Sequence, residues 1–170
     1  MRALGALLLV AACTLAGVQR TRALRFHRRC VDDALAALRY LDAELCAEAT
    51  PLPEIFSMLA QRRDSVLQTP FAALAEKTAA CGGEGLGALW SECWLRDTRV
   101  SLSKNERLAL ARLGAVLGRY GAQEQARALR GSIAFFEAAS ARAQKRSADG
   151  ARISVPVGLT LGLMLAAALV

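Results

Sequence analysis

The stretch VDDALAALRYLDAEL, residues 31–45, decides the fold class. Its apolar residues recur at spacings of four, three, three and four. This spacing places Val31, Leu35, Leu38, Leu41 and Leu45 on one face of an α-helix. The charged residues between them fall on the other faces. A helix with one apolar face is stable in water when that face packs against other helices, so the pattern predicts a helical bundle.

Two later stretches have the same helical spacing. Their apolar positions are Leu110, Leu113, Leu117 and Tyr120 in the first, and Ala126, Leu129, Ile133 and Phe136 in the second. Ala, Leu and Arg dominate the middle of the chain, a composition that favours helix. We therefore predict an all-α fold, a small bundle of about six helices. They are expected near residues 21–48, 51–63, 70–80, 86–98, 104–119 and 122–147.

Several helix boundaries have recognisable signals. Thr50-Pro51 and Thr69-Pro70 each predict an N-cap followed by Pro at the first helical position. Ser103 and Glu106 have the spacing of a capping box, in which each side chain satisfies the other residue's backbone N–H. The first helix is expected to continue from the apolar N-terminal segment. The last is expected to be interrupted near Asp149-Gly150.

Both ends of the chain are apolar. Ala3–Val18 carries no ionisable side chain except the thiol of Cys13, and Val155–Val170 carries none. Each run has 16 residues, somewhat short of the roughly 20 that cross about 30 Å of hydrocarbon, although neighbouring residues extend it. The sequence predicts transmembrane helices at residues 1–19 and 153–170, with the bundle between them at residues 20–152.

Basic residues crowd the inner flanks of these two segments. They are Arg20, Arg22, Arg25, Arg28 and Arg29 after the first, and Arg142, Lys145, Arg146 and Arg152 around the start of the second. On the outer sides of the two apolar segments, toward the chain ends, the sequence has one basic residue, Arg2. The positive-inside rule therefore places the bundle in the cytoplasm. A cleaved secretion signal, or a lipoprotein signal ending at Cys13, is an alternative interpretation of the first segment. The arginine cluster that follows opposes export.

Residue patterns typical of catalysis are lacking in the sequence. The one histidine, His27, lies among arginines, and the five cysteines include no C-x-x-C pair. We therefore predict a protein that is not an enzyme and uses no cofactor or metal. The net charge of +7 is compatible with nucleic-acid binding. However, topology and anionic head groups account for the flanking cations, and no aromatics alternate with basic residues, so nucleic-acid binding is not expected.

The order of short motifs is informative where each motif alone is weak. The motifs are LDAEL at 41–45, TPLPE at 50–54, Leu102 with Lys104 and Glu106, LGAVLG at 113–118, Gln125, and an apolar tail with Gly158 and Gly162. In order, spacing and overall length, the chain resembles the stage III sporulation protein AB family of endospore-forming bacteria.

This resemblance implies a non-enzymatic platform in the mother-cell membrane facing the forespore, within the channel complex between the two cells. The soluble domain is then similar to the cytoplasmic helical domains of type II secretion platform proteins. The implied partners are the sporulation ATPase, stage III sporulation protein AA, other channel components and a possible second copy of the chain. The alternatives are a generic membrane-anchored adaptor and an exported lipoprotein, both unrelated to sporulation.

Charged residues off the apolar stripes are the candidates for partner binding. They are Arg39, Asp42 and Glu44 on the first helix, Glu54 on the second, and Lys104, Glu106 and Arg107 at the start of the fifth. Because they avoid the apolar face, changing them is expected to leave the fold intact.

Overall fold

The computed structural model describes residues 2–47, 50–80 and 85–169, which form six α-helices and no β-strand. The helices are α1 (Arg2–Ala47), α2 (Leu52–Ala60), α3 (Gln68–Ala80), α4 (Leu86–Arg96), α5 (Lys104–Gly114) and α6 (Ala122–Leu169). The all-α class and the number of helices predicted from the sequence are confirmed. Over the described residues, no helix combines the length and the apolar character that crossing a membrane requires.

The chain divides into two compact units. The bundle unit is Arg29–Ala141, and the end unit comprises the chain up to Arg28 and from Arg142 onward. The bundle unit therefore contains the second part of α1, all of α2 to α5, and the first part of α6.

The core of the bundle unit combines the apolar stripe of α1 with aromatic rings from α2, α3 and α4. Ring centroids lie 5.7 Å apart for Phe56 and Trp90, 5.5 Å for Phe71 and Trp94, and 5.6 Å for the two tryptophans. Most of the predicted core positions are buried: Val31, Leu35, Leu38, Leu41, Leu110, Leu113, Leu117, Leu129 and Phe136. Leu45, Ala126 and Ile133, also expected on the apolar stripes, are only partly buried. Burial of several large rings contributes strongly to the stability of so small a domain.

The end of α5 differs from the prediction. The helix stops at Gly114, and the chain turns over residues 115–119 before α6 begins. Gly118 has φ of 73°, a left-handed conformation that ends helical geometry at low cost only for glycine. Tyr120, expected on the apolar stripe of this helix, therefore lies beyond it and is 53% exposed.

The helix starts are partly as predicted. The capping box is confirmed: Glu106 N–H donates to the Ser103 hydroxyl at 3.4 Å, and Ser103 N–H donates to the Glu106 carboxylate at 2.7 Å. The cap assigned to Thr50 is wrong, because Pro51 is the N-cap of α2 and the Thr50 hydroxyl donates to Glu44 at 3.2 Å. The cap assigned to Thr69 is also wrong, since α3 already begins at Gln68.

The last helix is continuous where an interruption was expected. Asp149 and Gly150 are both helical, so that prediction is wrong. The physical reason is packing within the end unit. A β-carbon at Gly150 would stand 2.4 Å from Cδ1 of Leu24, so the glycine admits the Leu24 side chain from α1. A glycine inside a helix costs about 1 kcal/mol relative to Ala, which is too little to break a long helix.

Candidate partner-binding surface

The first group of candidate residues lies on α1 and faces water. The Arg39 guanidinium pairs with the Glu137 carboxylate of α6 at 2.7 Å, and the two side chains are 59% and 49% exposed. Asp42, one turn further along α1, is half-buried and has an interaction of its own. An exposed ion pair of this kind contributes between about 0 and 1 kcal/mol to stability. Arg39 and Glu137 can therefore exchange this pairing for another partner.

Two further candidates lie at the connection between α1 and α2. The Glu44 carboxylate accepts a hydrogen bond from the Thr50 hydroxyl at 3.2 Å, which ties the end of α1 to the start of the connection. Glu54 is exposed in the first turn of α2, where its negative charge is favoured by the partial positive charge of the helix N-terminus. At this connection the Glu44 carboxylate is hydrogen-bonded within the fold, whereas the Glu54 side chain is exposed.

The candidates on α5 have a different role. Lys104 is exposed at the first position of the helix, but Glu106 is 7% exposed and forms part of the capping box. Arg107 is half-buried, and its guanidinium donates to four backbone carbonyls. These belong to Trp94 at 3.1 Å, Leu102 at 3.0 Å, Asp97 and Val100. Arg107 therefore holds the connection between α4 and α5 in place, and changing it will disturb the fold.

The sequence carries no signal for this use of Arg107. An arginine just after a capping box, on the polar side of a helix, is typical of a solvent-exposed side chain. The guanidinium is occupied because the carbonyls of Trp94, Asp97, Val100 and Leu102 converge on it. The Val100 carbonyl also accepts from Leu102 N–H. Buried carbonyls need hydrogen-bond donors, and one planar guanidinium supplies several in a fixed geometry.

The described part of the bundle unit has clefts large enough for a small molecule, and two of them are of similar volume. One of about 310 Å³ lies between α3 and α4 and is lined by Pro70, Leu74, Lys77, Cys93 and Arg96 among others. Burial, with a smaller effect of Asp97, raises the pKa of the Cys93 thiol to about 11. The thiol donates to the Pro70 carbonyl at 3.5 Å. It is therefore neutral at physiological pH and unsuited to act as a nucleophile.

The other cleft, of about 320 Å³, is lined by Asp33, Arg62, Arg63, Ser65 and Phe71 among others. Asp64 also lines this cleft, and the Asp33 carboxylate accepts from Val66 N–H at 2.8 Å. Across the described stretches of the chain, no group of three or more His, Cys, Asp or Glu side chains is arranged to hold a metal ion.

The motif LGAVLG at residues 113–118 has a structural explanation. A β-carbon at Gly114 would meet Trp90 Cδ1 at 2.4 Å, so this position must stay small for α4 to pack against α5. Gly118 supplies the left-handed turn described above. Further along, the Gln125 side chain donates to the Tyr120 carbonyl at 2.6 Å and stabilises the start of α6. These motif positions therefore have roles within the fold.

Comparison with known proteins agrees with this architecture. The family model for stage III sporulation protein AB matches residues 2–170. Stage III sporulation protein AB of Bacillus subtilis (strain 168) is 26% identical over 167 residues, which cover 97% of this chain and 96% of that protein. No solved structure matches the chain. The resemblance inferred from motif order is confirmed, and a role in sporulation follows: the chain belongs to the stage III sporulation protein AB family.

Proposed function

We propose that the protein is a non-enzymatic membrane platform of the channel complex that joins the mother cell to the forespore. The observation that carries this proposal is the extent of the family match, which runs from residue 2 to residue 170. The match therefore includes both apolar ends as well as the helical bundle. In this proposal the family-wide feature is the whole layout, a bundle with an apolar segment at each end.

The two ends serve as membrane anchors in this proposal, with residues 20–152 in the mother-cell cytoplasm. The supporting feature is the apolar character of Ala3–Val18 and Val155–Val170, together with the basic residues on their inner sides. Resistance of the full chain to extraction from membranes at alkaline pH is expected. Protection of the bundle from protease in intact cells is also expected. Digestion of the bundle by external protease would instead favour the exported lipoprotein.

The partner is proposed to be the sporulation ATPase of the AA type, which docks on the bundle unit. We place the docking surface at Arg39, Glu44 and Glu54. Arg39 and Glu54 are exposed, and Glu44 lies between them in the sequence, near the end of α1. Lys104 is exposed as well, but its neighbours Glu106 and Arg107 are occupied within the fold. Exposed charges of this kind mainly set the association rate and its dependence on salt.

Charge reversal tests the surface. Arg39→Glu combined with Glu54→Arg should lower recovery of the ATPase with the full chain from detergent extracts, most clearly at low salt. The control is Glu124→Arg combined with Arg127→Glu, which exchanges the same charges at exposed positions of α6. Both variants should lower the melting temperature slightly and to a similar extent, because each replaces a first-turn carboxylate, Glu54 of α2 or Glu124 of α6, by a cation, and exposed charges stabilise weakly.

The outcomes separate the surface from the function. Equal recovery of the ATPase with both double variants would show that the chosen surface is wrong while leaving the platform intact. Normal endospore formation in a strain that lacks the gene would overturn the platform function itself.

A further inference from the structure

The charge of the protein is unevenly divided between its two units. The end unit holds nine of the 22 Lys and Arg but only one of the 15 acidic residues, Asp149, which gives a net charge of +8. The bundle unit holds the remaining 13 basic and 14 acidic residues, a net charge of −1. The net positive charge of the chain therefore resides entirely in the end unit. An anionic partner would be attracted there and hardly at all to the bundle unit.

Part of this charge is arranged in two cationic stripes on the outer faces of the end unit. The stripes are Arg22, Arg25 and Phe26 on α1, and Arg142, Lys145 and Arg146 on α6. On each helix the three residues are spaced i, i+3 and i+4 and so share one face. All six are exposed, including Phe26 at 42%.

Other faces of the same two helices are buried. Thr21 and Ser147 are 7% and 6% exposed, and Leu24 packs where Gly150 leaves room. The stripes therefore point away from the contact between α1 and α6. Their cations are available to an external partner.

We propose that the two cationic stripes bind the anionic phospholipid head groups of a bilayer, with Phe26 in contact with the lipid beside them. This inference rests on the membrane anchoring proposed above and adds the class of lipid and the residues that contact it. Phe26 extends the stripe of Arg22 and Arg25, and an exposed aromatic ring beside cations suits the interfacial region, where apolar and charged surfaces meet.

The order of residues along each helix favours a bilayer over a nucleic acid or an acidic protein. On α1, Leu15 is 61% exposed and lies about 10 Å before Arg22 at 1.5 Å per residue. On α6, Met164 is 74% exposed and follows Arg146 by about 27 Å. Both helices thus change from exposed cations to exposed large apolar side chains toward the chain ends. A bilayer has this same change from phosphate to hydrocarbon.

Photo-crosslinking tests the contact between Phe26 and lipid. A benzophenone amino acid at position 26 of the full chain, in vesicles containing phosphatidylglycerol, should cross-link to lipid. The matched control is the same amino acid at Tyr120, an aromatic residue of the bundle unit that is 53% exposed. It should give no lipid adduct. Adducts at position 26 only to protein, or lipid adducts that are equally strong at both positions, would overturn the proposal.

Charge removal tests the preference for anionic lipid. The full chain is reconstituted in nanodiscs of equal phosphatidylglycerol and phosphatidylcholine, and the retained lipids are counted by native mass spectrometry. Arg22→Gln with Arg25→Gln should reduce the preference for phosphatidylglycerol by roughly 5-fold for each arginine removed. Arg127→Gln with Arg130→Gln, which removes two exposed cations from the bundle unit, should leave the preference unchanged.

Two results distinguish this inference from the anchoring that it rests on. A chain that resists alkaline extraction but has no preference for anionic lipid would overturn the inference and leave the anchors. A chain that alkaline buffer extracts, yet that cross-links to lipid at position 26, would support the lipid surface and overturn the anchors.

Discussion

Gly87 of α4 lies directly against Gly114 of α5. A β-carbon at position 87 would stand 2.6 Å from the carbonyl oxygen of Gly114, so the two backbones are in contact. This close approach allows hydrogen bonds between the helices. The Trp90 indole N–H donates to the Leu110 carbonyl at 2.5 Å, and the Ser91 hydroxyl donates to the Ala111 carbonyl at 3.1 Å. Two glycines therefore position the tryptophan at the centre of the core.

Enlarging either glycine should push α4 and α5 apart. We expect Gly87→Ala and Gly114→Ala each to lower the free energy of unfolding of the full chain by about 2 kcal/mol or more. Gly131→Ala is the control, because nothing lies within 4 Å of its added β-carbon. It should stabilise α6 by about 0.5–1 kcal/mol. Denaturant unfolding monitored by tryptophan fluorescence measures all three variants, and an unchanged midpoint for Gly114→Ala would contradict the packing described.

The two glycines with positive φ should respond differently to alanine. Gly118→Ala brings a strained left-handed residue and a β-carbon 3.1 Å from Leu86 Cδ2, whereas Gly85→Ala brings the strain alone. We expect a loss of about 1–2 kcal/mol for Gly85→Ala from the backbone conformation, and a larger loss for Gly118→Ala. Thermal unfolding of the two variants compares the losses directly. Equal losses would mean that Leu86 moves aside freely.

Arg107 should be much more sensitive to substitution than its position on the polar side of α5 suggests. Arg107→Gln removes the donors to the carbonyls of residues 94, 97, 100 and 102, which should lower the free energy of unfolding by about 2–4 kcal/mol. Arg112→Gln, at an exposed position in the last turn of the same helix, is the control and should change stability little. A mild effect at both positions would show that water replaces the guanidinium.

Removing the hydroxyl of Thr50 or of Ser103 should distinguish a true N-cap from a residue that only precedes a helix. Ser103→Ala breaks the capping box of α5 and should cost about 1 kcal/mol. Thr50→Ala breaks only a hydrogen bond to Glu44 and should cost less, because Thr50 does not cap α2. Thermal unfolding gives the ranking, which would be reversed if Thr50 were the cap.

Cys93 should make stability depend on alkaline pH. Burial raises the pKa of the folded thiol to about 11 from an ordinary value of 9.0, so the folded state holds this proton more tightly than the unfolded state. The contribution to stability is constant below pH 9 and falls as the pH rises from 9 toward 11. Cys93→Ala should flatten the unfolding free energy over this range. Iodoacetamide at pH 8 should alkylate Cys93 slowly in the folded chain and quickly after unfolding.

Local patterns along the chain are sufficient to establish the fold class and the family. Helical spacing at Val31, Leu35, Leu38 and Leu41 identifies the buried face because burial follows a period of 3.6 residues, a local property. The capping box at Ser103 is local for the same reason, since its two hydrogen bonds span three residues. The order of motifs was sufficient to identify the family, which the match over residues 2–170 confirmed.

Tertiary structure alone decided what residues distant in sequence do together. Gly114 looks like a helix end or a flexible point, but its role comes from Trp90, 24 positions earlier. Arg107 looks like a solvent-exposed charge until residues 94–102 fold around it and present carbonyls that need donors. Gly150 looks like a break in α6 until Leu24 occupies the space that it leaves. Each of these roles depends on contacts between different helices, whereas spacing along the chain specifies only which side of one helix a residue occupies.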